Sequence, residues 1–85
     1  MGYPLLGYKI PAMSNSIYLK EHIRVIEKLK EARIEAHLKQ VDVALKLRKP
    51  QSYVSKIERG ERRIDIAELK ILAKIYKKNI TYFVL

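Results

Sequence analysis

The chain has 85 residues, which is enough for one small domain with a modest hydrophobic core. It contains no cysteine, so disulfide bonds and thiolate metal sites are excluded. Lysine and arginine outnumber aspartate and glutamate by 18 to 9, and the formal net charge of +9 favours a polyanionic partner.

The sequence has no pattern typical of a metal site, a cofactor site or a membrane segment. His22 and His37 are the only histidines, and they lie far apart without supporting ligands. No apolar run approaches the length of a membrane span. Pro4, Gly7 and Pro11 interrupt the apolar start of the chain, which therefore does not resemble a signal peptide. We expect a cytoplasmic protein that binds no metal, no cofactor and no membrane.

Residues 1–16 are predicted to form a flexible tail before a domain that covers residues 17–85. The tail holds two of the three prolines and two of the three glycines, and it has no helical period. One interpretation is that Met13 begins the native protein and that residues 1–12 are an upstream extension. The other is that the tail is an arm that contacts DNA, although Lys9 is its only charged side chain.

Helical periodicity predicts five helices and no strand. The first helix covers residues 17–36, and Arg33 interrupts its apolar stripe. The second covers residues 40–47 and the third residues 50–59. The stripe of the first helix is predicted to contain Leu19, Ile23, Ile26, Leu29 and Ala36.

The ends of the later helices are marked by residues with known positional preferences. Pro50 suits the first turn of the third helix, and Gly60 suits the position just after its end. Asp65 and Glu68 have the spacing of a capping box at the start of a fourth helix. Asn79 is predicted to cap a short fifth helix. The fourth helix is predicted to bury Ile66, Leu69, Leu72, Ala73 and Tyr76, and the fifth to turn Ile80 and Phe83 inward.

The third helix has two chemically different sides. Val54, Ile57 and Glu58 share one side. The opposite side holds hydrogen-bonding and cationic residues, as a helix in the DNA major groove needs. These residues are Ser52, Ser55, Lys56 and Arg59. The surrounding stretch from residue 39 to 63 has eight Lys or Arg against three Asp or Glu, which is typical of a nucleic-acid surface.

The segment from Leu38 to Arg63 resembles the lambda-repressor-like, Cro-type (XRE-family) helix-turn-helix. The resemblance extends over residues 20–84, and the run Gln51-Ser-Tyr-Val-Ser-Lys-Ile-Glu-Arg-Gly-Glu-Arg-Arg63 is its most specific part. It implies a compact all-α domain of five helices, with the helix-turn-helix at the second and third. It also implies double-stranded DNA as the partner, a homodimer and a role in regulating transcription, which we expect to be repression.

Site roles follow from the resemblance, position by position. Gln51, Ser52, Ser55 and Lys56 are expected to read bases, with Gln51 paired to adenine. Gln40 is expected to contact phosphate and to brace Gln51. The other residues expected at the DNA backbone are Lys49, Tyr53, Arg59, Arg62 and Arg63. For Tyr53, packing against the fourth helix is an equal alternative.

The resemblance also implies structural features. Arg33 and Glu58 match a partly buried ion pair that joins the first and third helices. His37, Arg48 and Lys77 stand where the family commonly has glycine, and a left-handed backbone there costs on the order of 1 kcal/mol. Lys39 replaces the usual Ser or Thr cap of the second helix. Tyr82, Val84 and Leu85 are predicted to form the dimer interface.

Two other classes of function remain open at this point. One is an antitoxin-like or adaptor module with the same fold, whose partner is a small protein. The other is a nucleic-acid binder that uses charge alone. An enzyme is not expected, because the sequence has no Ser/His/Asp set, carboxylate pair or glycine-rich phosphate loop.

Overall fold

A computed structural model describes residues 16–85, with side chains from Leu19 onward. This part of the chain is all-helical, which confirms the predicted fold class. Its helices are α1 (Ser16–Glu35), α2 (Gln40–Leu47), α3 (Gln51–Glu58), α4 (Ile66–Ile75) and α5 (Thr81–Val84). The predictions for the tail lie outside the described residues, except that Ser16 already belongs to α1. None of the described helices is both long and apolar enough to cross a membrane.

The start of α3 lies one residue later than predicted. Pro50 is the N-cap, with φ −68° and ψ 156°, so its backbone is still extended. Its carbonyl accepts the first bond of the helix, from Tyr53 N at 3.0 Å. The fixed φ of proline suits a helix and an extended chain alike, so φ alone could not place the boundary.

Local capping fixes the start of α4 as the sequence predicts. Glu68 N donates to Asp65 Oδ1 at 2.8 Å, and Asp65 N donates to Glu68 Oε1 at 3.0 Å. These two bonds are the capping box. At α5, Asn79 Oδ1 accepts from Thr81 N at 3.0 Å, so its side chain caps the first N–H of the helix as predicted, although Ile80 is the residue directly before α5. At α2 only one of the two hydrogen bonds of a capping box exists. Asp42 Oδ2 accepts from Lys39 N at 2.8 Å. The second bond would need an acceptor on the Lys39 side chain, and an ammonium has none.

Four helices end in the same backbone motif. After α3, Gly60 has φ 75° and donates to Ile57 O, while Glu61 N donates to Lys56 O. This pair of bonds is a Schellman motif, which needs a left-handed residue. The other three left-handed residues are His37, Arg48 and Lys77, with φ of 60°, 58° and 60°. The predicted departures from glycine are therefore real, and each costs on the order of 1 kcal/mol of stability.

One core is built from all five helices. It contains Leu29, Ala32, Val43, Ala44, Val54, Ile57, Leu69, Leu72, Ala73, Tyr76 and Phe83. Ala32 is fully buried although the predicted stripe omitted it. The prediction for Ile66 was wrong, because its side chain is 63% exposed. It is the first residue of α4, and side chains in a helix lean toward the N-terminus, so Ile66 points past the packed surface.

Candidate nucleic-acid interface

The interface is built on α2 and α3, which pack against each other more extensively than any other described pair of helices. Val43 and Ala44 of α2 and Val54 and Ile57 of α3 are all buried in the shared core. Burial of these four side chains fixes how α3 is rotated about its axis. The polar side of α3 must then face outward.

The outward side of α3 carries the residues that the sequence assigned to base reading. Gln51, Ser52 and Lys56 are exposed, and Ser55 is half-buried. Arg59 follows the helix and is exposed, and its guanidinium donates to Ser55 Oγ. Two of the assigned side chains are therefore in contact with each other.

Arg33 of α1 and Glu58 of α3 form a two-bond ion pair. Arg33 Nε lies 2.7 Å from Glu58 Oε2, and Arg33 Nη2 donates to Glu58 Oε1 at 3.1 Å. The two side chains are only 12% and 5% exposed. Arg33 Nη1 also donates to Leu38 O at 2.9 Å, so the guanidinium ties α1 to the chain entering α2. The Glu58 hydrogen bond raises the pKa of Arg33.

A chain of hydrogen bonds runs from this ion pair to the start of α3. Glu58 Oε1 accepts from Gln40 Nε2 at 2.9 Å, and Gln40 Oε1 accepts from Gln51 Nε2 at 3.4 Å. The sequence analysis predicted a contact between Gln40 and Gln51 and an ion pair between Arg33 and Glu58. It missed the hydrogen bond between Gln40 and Glu58 that joins the two pairs. The Glu58 carboxylate could have indicated this bond, because a carboxylate can accept more hydrogen bonds than one arginine donates to it, and a further donor is then expected nearby.

Tyr53 lies among charged groups between α3 and α4. Its hydroxyl donates to Glu68 Oε2 at 2.6 Å. Arg62 lies over its ring at 4.5 Å, and Lys49 approaches the ring at 5.3 Å. This contact with Glu68 agrees with one of the two predicted roles for Tyr53, packing against α4.

Glu68 is the centre of this group. Arg62 Nη2 lies 2.7 Å from Glu68 Oε2, and Arg62 Nη1 donates to Glu68 Oε1 at 3.0 Å. The Arg62 hydrogen bond, with further bonds from Tyr53 and the Asp65 backbone, lowers the pKa of Glu68 to about 2. Burial and the Glu68 carboxylate raise the pKa of Tyr53 to about 12.

Two cations assigned to the DNA backbone are paired with carboxylates in this structure. Arg59 Nε lies 2.9 Å from Glu61 Oε2, and Arg62 is bonded to Glu68. The Arg59 hydrogen bond lowers the pKa of Glu61, so that carboxylate is ionised at neutral pH. The other two cations assigned to the DNA backbone, Lys49 and Arg63, are exposed.

The residues predicted for a dimer interface are placed unequally. Val84 is 50% exposed and Leu85 is 76% exposed. Tyr82 is half-buried, and its ring packs edge-on to Phe83 with 5.0 Å between centroids. Lys28 and Lys78 approach the Tyr82 ring at 4.9 and 4.5 Å. Tyr82 therefore makes much of its contact within its own chain, while the other two side chains face outward.

Comparison with known families agrees with this geometry. A family model described as helix-turn-helix (HTH_3) matches residues 29–83, which is more than half of the chain. Neither the curated proteins nor the solved structures contain a match. The matched range begins at Leu29 of α1 and ends at Phe83 of α5, so it contains the ion pair, both helices of the interface and the last core residue. The chain belongs to the XRE-type helix-turn-helix family of DNA-binding transcription regulators.

Proposed function

We propose that this chain is a sequence-specific repressor that reads the major groove of double-stranded DNA with α3. The observation that carries the proposal is the hydrogen-bond chain from Glu58 through Gln40 to Gln51. It orients the Gln51 amide, which we propose as a base reader, at the exposed start of a helix whose rotation is fixed by the core.

The chemistry of this chain fixes which way each amide points. A carboxylate only accepts hydrogen bonds, so Gln40 must turn its NH₂ toward Glu58 and its carbonyl away. Gln51 must then turn its NH₂ toward that carbonyl. One N–H and the carbonyl oxygen of Gln51 remain for a base. That donor and acceptor match N7 and N6 of adenine in the major groove.

Neighbouring residues supply the other contacts of the proposal. Ser52, Ser55 and Lys56 lie along the same outward side of α3 and read further base edges. Phosphates are contacted by Gln40, Lys49, Tyr53, Arg59, Arg62 and Arg63. Arg59 and Arg62 exchange their carboxylate partners for phosphate when DNA binds. The exchange is possible because carboxylate and phosphate are both anionic hydrogen-bond acceptors for a guanidinium. Repression then follows from occupancy, since a protein seated in the groove blocks access to the promoter.

Two-fold pairing completes the proposed DNA complex. One recognition helix spans only a few base pairs, whereas two helices about 34 Å apart meet successive major grooves on one side of the duplex. Val84 and Leu85 provide outward apolar surface for pairing, and Tyr82 adds the part of its ring that its own chain leaves exposed.

Selection of bound sites from random duplex DNA tests the proposal. The unmodified chain should enrich a site with two related halves. Gln51→Ala should weaken binding to that site by about 1–3 kcal/mol and relax the preference at one base pair of each half. Ile34→Ala truncates an uncharged side chain of α1 that is 55% exposed, and it is the matched control because it also leaves the net charge unchanged. An unchanged site profile for Gln51→Ala contradicts the reading role, and similar affinity for unrelated duplexes at physiological salt indicates binding by charge alone.

A further inference from the structure

An apolar groove of about 510 Å³ lies beside α4, and no residue assigned to DNA contacts lines it. Its apolar lining includes Ile71 and Ile75, four residues apart on α4, and Ile80 from the segment before α5. Ile71 is 51% exposed. Leaving a branched aliphatic side chain in water forfeits the free energy that its burial would contribute. The groove is therefore an apolar surface that no other described residue covers.

The charged groups around the groove are all of one sign. Lys46 of α2 and three lysines at four-residue spacing, Lys70, Lys74 and Lys78, make up its charged lining, and no carboxylate lines it. Lys78 Nζ lies 2.7 Å from Glu35 Oε1, so one rim lysine already pairs with a carboxylate that lies just outside the groove. We call this surface the lysine-rimmed groove.

These features specify the chemistry of an occupant. It must offer apolar side chains to the floor and carboxylates to the rim. Duplex DNA satisfies only the rim, and a second copy of this chain has a net charge of +9 that opposes the lysines. A concave groove also favours a convex partner such as a helix, because apolar anchors on one helix face fit into it. An acidic amphipathic helix meets all of these conditions.

The spacing of the rim agrees with a helical partner. Lys70 and Lys74 are separated along the α4 axis by about 6 Å, which is the rise of four helical residues. Carboxylates at i and i+4 on a partner helix have the same separation. Apolar side chains one position away on that helix would then face Ile71 and Ile75, which are offset by one residue from the two lysines.

We propose that the lysine-rimmed groove docks an acidic amphipathic helix of a partner protein. The proposal does not rest on DNA binding. No lining residue of the groove is assigned to DNA contacts, so a variant of the groove leaves the proposed DNA-contacting side chains in place. The groove also supplies the surface that an adaptor or antitoxin-like role would use.

The probe is a synthetic helical peptide of about four turns, with leucines along one face and glutamates one position away from them, on the adjacent side of the helix. A scrambled peptide of the same composition has the same charge but no apolar face. Binding of each peptide to the full chain is measured by fluorescence anisotropy, and the contact site is located by ¹⁵N chemical-shift changes. Ile71→Glu places a charge in the floor, and Lys70→Glu with Lys74→Glu reverses part of the rim.

Matched controls exist on α1. Ile34→Glu changes an isoleucine that is 55% exposed outside the groove, and Lys20→Glu with Lys30→Glu makes the same charge change as the rim variant. Because all six altered side chains are exposed, the variants should fold, and their amide spectra verify this.

The designed peptide should shift amides of α4 and lose about tenfold in affinity with either groove variant. The α1 controls should stay within about twofold, and the scrambled peptide should bind at least about tenfold more weakly. No binding, equal binding of the scrambled peptide, or equal losses in the groove and control variants overturns the proposal. Selective loss of duplex DNA binding in the rim variant, with peptide binding intact, assigns the lysines to nucleic acid instead.

Discussion

Glu58 accepts a hydrogen bond from Gln40 at 2.9 Å while it is ion-paired with Arg33. One carboxylate therefore serves two purposes: it neutralises a cation on α1, and it orients the first side chain of α2. Gln40 in turn accepts from Gln51. The structural pair and the proposed reading amide are thus parts of one polar network, whose energies need not add.

Breaking the Arg33–Glu58 pair should destabilise the fold. Either Arg33→Ala or Glu58→Ala leaves a nearly buried charge without its partner, and the expected loss is about 3 kcal/mol in the free energy of unfolding. Urea denaturation of both single variants and the double variant measures the coupling. Glu27→Ala, an exposed carboxylate of α1, is the control. If the losses of the two single variants add up to the loss of the double variant, the pair has no coupling energy and does not stabilise the fold.

Capping and helix ends were predictable because they depend on neighbours in sequence. The Asp65–Glu68 box and the Asn79 cap both involve short-range geometry. The left-handed residues His37, Arg48 and Lys77 were predicted from the family resemblance instead. Ile66 shows where periodicity fails, since a helical stripe does not reveal where the packing partner ends.

The site was less predictable, because its side chains come from separate helices. The Gln40–Glu58 bond connects residues 18 positions apart and depends on how α2 crosses α3. Tyr53 was assigned two equal roles, since only the packing of α4 brings Glu68 within 2.6 Å of its hydroxyl. The pairing of Arg59 with Glu61 was within reach of sequence reasoning, as the two residues are two positions apart.

The dependence of DNA affinity on ionic strength should reveal which cationic side chains contact the DNA phosphates. Arg59→Ala or Arg62→Ala should weaken specific and non-specific binding alike and lower the slope of log K against log salt by about 0.9 for each lost phosphate contact. Glu61→Gln should act in the opposite direction. It removes the carboxylate that competes with phosphate for Arg59, so non-specific affinity should rise. Titrations with an unrelated duplex at several salt concentrations measure both effects.

Glu27→Gln makes the same charge change as Glu61→Gln on an exposed site of α1, and it controls for net charge. If both glutamine variants raise affinity equally, the Arg59–Glu61 pair has no specific influence. If Arg59→Ala loses only affinity for the cognate site and keeps its salt slope, Arg59 reads bases.

Acid should destabilise the fold through Glu68. Its pKa is about 2 in the folded protein and ordinarily 4.5, so folding favours the ionised form. A depressed pKa contributes stability above the unfolded value, and that stability is lost as the pH falls from about 4.5 toward 2. The loss should be about 2 kcal/mol after allowance for solvent screening. Urea unfolding at a series of pH values measures it.

Glu68→Gln should be less stable than the unmodified chain at neutral pH and should lose less stability in acid. Glu27→Gln should retain the acid dependence of the unmodified chain, because Glu27 is exposed on α1. If the stability of Glu68→Gln falls as steeply with acid as that of the unmodified chain, other carboxylates cause the acid destabilisation.

The outward apolar end of the chain should set the stoichiometry on DNA. Phe83 is buried and Tyr82 rests against Phe83, so deleting the whole segment would damage the monomer. Val84→Ser with Leu85→Ser changes only side chains that are at least half exposed. Sedimentation with a palindromic duplex should show two chains per duplex for the unmodified protein, since the shared duplex raises their effective concentration even if the interface is weak. The double variant should bind the palindrome less cooperatively while keeping its affinity for one half-site.

Ile66→Ser, at an isoleucine that is 63% exposed on α4, is the matched control and should leave cooperativity unchanged. A one-to-one complex on the palindrome, unaffected by the double variant, would exclude pairing through this end of the chain.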